Sequence, residues 1–215
     1  MNKLPSSPLI YLITDRQFTP HPHHQLDAIA AAAQAGCQLI QIREKDLSAR
    51  ELCEFVRAAL VRAKPHGARV LVNDRLDVAL ASGADGVHLR TNSLPAAEVR
   101  RVVQRRDFLL GVSTHSLVEA QTAKVGGADF IVCGPVFPTL SKASFGAPLG
   151  LDQFEEICHA VNMPILALGG ITMNNFTEPL MRGAAGIAAI SLFKNPTSLG
   201  SNIKMVLSSR LDPQD

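Results

Sequence analysis

Cationic and amide side chains recur just after short apolar segments of this chain, first in QIREKD at residues 41–46. Gln41, Arg43 and Lys45 occupy alternate positions, so on an extended chain all three face one way. Two cations and an amide on one inward face are costly unless an anion meets them. A pyrophosphate suits them, because arginine binds it through a two-pronged fork and lysine as a point charge. An internal pair such as Arg43 with Asp74 would also neutralise the face. VNDR at 72–75 adds Asn73 and Asp74. An acid beside a pyrophosphate commonly holds magnesium, and an aspartate here is equally suited to cap a helix.

Three further stretches carry groups that suit an anion. CGPVFPTLSKASFGAPLG at 133–150 ends a strand and opens a long loop with Thr139, Ser141 and Lys142 amid glycine and proline. Loops of that length are often lids or binding segments, the plain alternative being a solvated loop with one ordinary lysine. ALGGIT at 167–172 and AAISLF at 189–194 contribute Gly169, Gly170 and Ser191. Paired glycines let backbone N–H groups approach an anion, Ser191 adds a hydroxyl, and a following helix start adds a favourable dipole. A tight turn would need the same glycines. His88, Ser113 and His115 complete the polar set. HPHH at 21–24 reads as a solvated loop before the first helix, its prolines keeping it irregular, rather than as a metal site.

The elements that must position these residues alternate along the chain. Apolar runs at 9–14, 38–43, 69–73, 86–89, 108–112, 129–133, 164–168 and 186–190 are apolar on both sides, as strands covered on both faces must be. Between them lie amphipathic stretches. LDAIAAAAQAG at 26–36 keeps small residues for close packing, and 47–64 shows apolar residues at helical spacing. Ser116 and Glu119 make a capping-box pattern. Eight strand–helix units predict a single (β/α)8 TIM barrel over 1–215, with a doubly wound open sheet as the alternative. The first strand–helix junction lacks GxGxxG. In a barrel the residues that follow the strands gather at one mouth, which turns scattered motifs into one polar site.

Composition bounds the partners. The formal charge of +2, mean hydropathy of +0.13 and 47% apolar residues suit a globular protein and argue against a nucleic-acid arm or a polybasic membrane patch. No apolar run is long enough to span a bilayer, and the first residues lack the pattern of a signal peptide. Cys37, Cys53, Cys133 and Cys158 are scattered without a CxxC pair, so buried free thiols and a cytoplasmic location are expected. Small barrels often pair, and a homodimer is one assembly the fold allows.

QIREK, VNDRLDVAL, GADGVHL, GVSTHSLVEA, GADFIVCGPVFPT with SK, PILALGGIT and GIAAISLF follow one another in an order that resembles the thiamine phosphate synthase and thiazole tautomerase family. The resemblance covers nearly the whole chain and implies the same barrel. It implies that a hydroxymethylpyrimidine pyrophosphate loses pyrophosphate while the nitrogen of a thiazole phosphate captures the pyrimidine carbon. Gln41, Arg43, Lys45, Asn73, Ser113 and Lys142 would hold the pyrimidine pyrophosphate, with Lys142, Ser113 and Arg43 as the catalytic residues. Thr139, Ser141, Gly170, Ile190 and Ser191 would hold the thiazole phosphate, and Asp74 would ligate Mg2+. Synthases usually read HLGQxD where this chain reads HLRTNS, so Ser93 stands where the second magnesium ligand belongs and Arg90 brings a cation able to neutralise phosphate directly. The tautomerase alternative expects a histidine where this chain has Pro135. A third alternative is a barrel that binds thiamine-related phosphates without turnover.

Overall fold

The computed structural model describes residues 4–5, 8–17, 22–139 and 147–209. Eight parallel strands close a barrel in sequence order, β1 (Leu9–Ile13), β2 (Leu39–Ile42), β3 (Arg69–Asn73), β4 (Gly86–Leu89), β5 (Leu109–Thr114), β6 (Phe130–Cys133), β7 (Ile165–Leu168) and β8 (Gly186–Ala189). β1 pairs with both β2 and β8, which rules out the open doubly wound sheet. Helices α1 (Pro22–Gln34), α2 (Ala49–Ala63), α3 (Leu76–Ser82), α4 (Ala96–Val102), α5 (Leu117–Val125), α6 (Gly150–Ala160), α7 (Thr177–Met181) and α8 (Pro196–Ser208) intervene and surround it.

Strand alternation divides the core in two. Leu9, Tyr11, Leu39, Leu71, Phe130 and Leu166 point inward and fill the barrel, with Tyr11 edge-on to Phe130 at 5.3 Å. Ile10, Ile40, Val70, Val87, Leu110 and Ile187 point outward against the helices. Both faces of every strand are therefore covered, which is why the strands read as unbroken apolar runs. α2 shows how a helix meets this wall: Leu52, Phe55, Val56, Ala59 and Ala63 are buried. Its start is fixed by a full capping box between Ser48 and Glu51.

Two local expectations change. α1 starts at Pro22, four residues before the expected start at 26, so much of HPHH is helical rather than a loop. Proline's fixed φ suits the first helical position, where its missing N–H is no loss. At α5, Ser116 Oγ accepts from the Glu119 backbone N–H, but the Glu119 carboxylate accepts from His115 N–H at 2.6 Å and the reciprocal half of the box is not formed. No helix among the described residues is long and apolar enough to cross a membrane.

Candidate active site at the barrel mouth

All eight strands run the same way, so the residues after their C-terminal ends share one mouth. Period-2 facing along QIREKD holds only as far as the strand does. Gln41 points into the barrel, is 2% exposed, and donates from Nε2 to Tyr11 Oη at 3.0 Å. It thus lies in the packed interior beneath the mouth. β2 ends at Ile42, after which the chain turns. Arg43 is half-buried and pairs with Asp15 at the end of β1, Nη1 to Oδ2 3.4 Å. Lys45 is exposed rather than aligned on one inward face with the other two.

Glu44, between them, is the residue that spacing did not single out. It is 5% exposed and accepts from Thr14 Oγ1 at 2.5 Å, Gln25 Nε2 at 2.5 Å and the Arg16 N–H at 2.9 Å. Thr14 Oγ1 in turn accepts from the Arg43 N–H at 3.0 Å. A buried carboxylate so satisfied fixes the β1 and β2 ends against each other, and with them the backbone that carries Arg43.

The next two strand ends form a second ion pair. Asp74 has φ of +64°, a left-handed backbone that aspartate tolerates better than most side chains. It does not cap α3, which starts without a side-chain cap. Its Oδ2 accepts from Arg90 Nη2 at 2.6 Å and Arg90 Nε at 3.0 Å, and its Oδ1 from the Ser93 hydroxyl. Ser93 Oγ also accepts from the Arg90 N–H at 2.8 Å. The RTNS turn therefore wraps the carboxylate, and the Arg43–Asp74 pair weighed from sequence is not the one formed.

Between the β2 and β3 ends opens a cavity of about 270 Å³, lined by Lys45, Asn73, Asp74, Arg75 and Arg90 over an apolar floor that includes Ile42 and Leu52. Arg75 is turned onto Asp77 at 2.6 Å. The Arg43 charge, then burial, then the Arg90 charge hold the Lys45 ammonium below its ordinary range, partly offset by Asp15. Lys45 and Arg90 thus line one opening with the Arg43 charge close to Lys45, an arrangement that favours a polyanion.

Deeper in the barrel, His88 Nε2 and Ser113 Oγ are hydrogen-bonded at 2.9 Å across β4 and β5. His88 is 2% exposed, and burial holds its pKa down to about 3. It is a neutral orienting group for Ser113 at ordinary pH. His115 is tied through Nδ1 to the Gly134 carbonyl.

On the other side of the mouth, Gly169 and Gly170 have φ of +97° and +66°, and a Cβ on Gly170 would stand 2.6 Å from Phe137 Cβ and 2.7 Å from the Pro138 carbonyl. The close approach brings the β7 end against the loop that carries Thr139. Asn175 steadies it, donating from Nδ2 to the Gly170 carbonyl at 3.0 Å. Ile190 leads into a short 3-10 turn, Ser191–Phe193, with Ser191 exposed. Ser141 and Lys142 lie outside the described residues.

A family model described as thiamine monophosphate synthase matches residues 10–193. The chain belongs to that family. It is 37% identical over 207 residues to the thiamine-phosphate synthase of Roseiflexus sp. strain RS-1, covering 95% of this chain and 87% of the relative. It is 41% identical over 187 residues to that of Chlorobium luteolum, covering 87% and 85%. Among solved structures, a thiamine phosphate pyrophosphorylase from Pyrococcus furiosus superposes with a TM-score of 0.80 at 33% identity, over 96% of this chain and 98% of that one.

Within this family the residues around Asp74 bear on the magnesium expected there. Magnesium takes oxygen ligands in near-octahedral array, typically one or two carboxylates with phosphate and water. Here both oxygens of the Asp74 carboxylate are engaged, and a guanidinium is held against it. Ser93 brings a hydroxyl in place of a second carboxylate. Among the described residues no group of three His, Cys, Asp or Glu is placed to hold a metal. This donor set does not fit a protein-held magnesium ion, because a cation entering at Asp74 would meet Arg90 in its place.

Proposed function

We infer that the mouth carries out the synthase reaction, joining a hydroxymethylpyrimidine pyrophosphate to a thiazole phosphate with release of pyrophosphate. The carrying observation is the cavity at the C-terminal ends of β2, β3 and β4 that Lys45, Asn73 and Arg90 line, with the Arg43 charge felt at Lys45, in a chain of this family. The bond between the pyrimidine methylene carbon and the pyrophosphate oxygen breaks, its electron pair leaving with pyrophosphate. The thiazole nitrogen lone pair forms the new carbon–nitrogen bond. Charge accumulates on the departing oxygen, so cations fixed beforehand at that place lower the barrier most. Asp15 and Glu44 hold Arg43 and its backbone in position. The Gly169–Gly170 turn, with Thr139, Ile190 and Ser191, forms the thiazole phosphate side, and holding both reactants at one mouth supplies proximity. Four cysteines held as free thiols suit a reducing compartment such as the cytoplasm.

The test is incubation of the purified protein with both substrates, following thiamine phosphate and pyrophosphate together. Equal amounts of the two products are expected, with loss of most activity in Arg43→Gln. A folded protein that binds thiazole phosphate yet forms neither product would overturn the synthase reading.

A further inference from the structure

We propose that Arg90 is the built-in countercharge of the pyrophosphate site, so that this chain binds pyrophosphate without a divalent cation. The inference rests on reading the cavity beside β2 and β3 as the pyrophosphate site. An arginine side chain carries five N–H donors, and Asp74 takes two of those on Arg90, one on Nε and one on Nη2. Three remain on a side chain that is 45% exposed and lines the cavity. The carboxylate therefore acts as a positioning group. It fixes the plane of the guanidinium while leaving donors for two phosphate oxygens, the geometry in which arginine binds phosphate best.

The pairing also removes an electrostatic obstacle. A bare Asp74 carboxylate facing this cavity would repel a pyrophosphate, and some cation must stand between them. Arg90 stands there, held by its own turn: the Arg90 N–H, the Ser93 hydroxyl and the Asp74 carboxylate form one connected chain of hydrogen bonds. Ser93 thus has a stated role, which is to hold the carboxylate toward the guanidinium. Lys45 and Asn73 line the same cavity and supply the remaining donors.

The experiment is titration calorimetry of the full chain with inorganic pyrophosphate, once in excess EDTA and once with magnesium. Wild-type protein is expected to bind in EDTA as tightly as with magnesium. Arg90→Gln is expected to bind about 10- to 100-fold more weakly in EDTA, the loss of charged hydrogen bonds. It should recover when magnesium is added, because the freed Asp74 carboxylate can then share the metal with pyrophosphate oxygens. If Arg90→Gln fails to fold by circular dichroism, Arg90→Lys retains the charge and is expected to bind in EDTA with a several-fold loss. Wild-type binding that requires magnesium would overturn the proposal, as would Arg90→Gln binding like wild type in EDTA. Turnover of both substrates that persists in EDTA supports it. Absence of turnover in every buffer, with the binding pattern intact, keeps this proposal and overturns the synthase reading alone.

Discussion

Substituting His88 by glutamine should flatten the acid limb of the stability profile. His88 lies inside the barrel beside Tyr11 and Phe130, ring centroids 5.5 and 6.1 Å away, with Nε2 on Ser113 Oγ. Burial holds its pKa down to about 3, partly offset by the Asp74 charge. In the unfolded chain the same residue titrates near its ordinary value of about 6.5. Between those two values the unfolded chain carries a proton that the native protein lacks. Stability therefore rises with pH across that window and is lost as pH falls below about 6.5. From pH 8 to pH 5 this one residue removes about 2 kcal/mol, a figure that holds for any native value below about 4. For a chain of this size that is a shift of about 4–8 °C in Tm. Glutamine keeps an amide for Ser113 and does not titrate. Thermal melts of wild type and His88→Gln across pH 5–8 would be compared by difference, which cancels the carboxylates and the other histidines that both proteins share. Parallel curves would refute the reasoning, because they would mean that the native imidazole takes up its proton as readily as the unfolded one.

Other perturbations follow from the same geometry. Glu44→Ala strands two buried side-chain donors and a part-buried N–H and is expected to destabilise the protein by about 2–4 kcal/mol, read from urea unfolding; a cost near zero would contradict the role given to that carboxylate. Gly170→Ala places a Cβ 2.6 Å from Phe137 Cβ on a backbone with φ of +66°. It should raise KM for thiazole phosphate about tenfold, while KM for the pyrimidine pyrophosphate changes little; equal effects on both would place the glycine outside the thiazole side. Burial pushes the Cys37 thiol up to about 12 and the Cys133 thiol to about 11. Both should resist a thiol reagent at pH 8 until denaturant is added, as counted by mass spectrometry.

Why the strands were legible and parts of the site were not has a physical basis. A strand covered on both faces has no polar side to interrupt it, so runs such as LIYLI and RVLVN announce themselves by composition alone. The mouth follows too, once eight such runs alternate with helices, because parallel strands deliver all their C-terminal ends to one side. Spacing fails where the strand stops. Arg43 and Lys45 share a face only on an extended backbone, and β2 ends at Ile42, before either of them. The buried Glu44 then takes three hydrogen bonds from residues 19 to 30 positions away, and nothing local in the sequence marks a glutamate as buried. Arg90 was visible as a cation in an unusual turn. Its bond to Asp74, 16 residues earlier, depends on β3 and β4 lying side by side and on a left-handed backbone at Asp74.

That pairing explains the layout of charge around the mouth. Because strand order follows sequence order, each strand end lies beside the ends of its neighbours in sequence. Asp15 takes Arg43 across β1 and β2, and Asp74 takes Arg90 across β3 and β4. The seam between β2 and β3 is left without an Arg43–Asp74 bridge, and the cavity opens there. Arg90 is oriented by Asp74, and Arg43 is turned by Asp15 away from Asp74, so a polyanion entering the cavity meets Arg90 already aimed and Lys45 beside it. Had Arg43 paired with Asp74, the same residues would have closed the seam and an anion would first have had to break that pair. The two carboxylates thus leave the barrel with a cationic slot that costs little reorganisation to fill, which is the property a site needs when it must hold charge that appears only as a bond breaks.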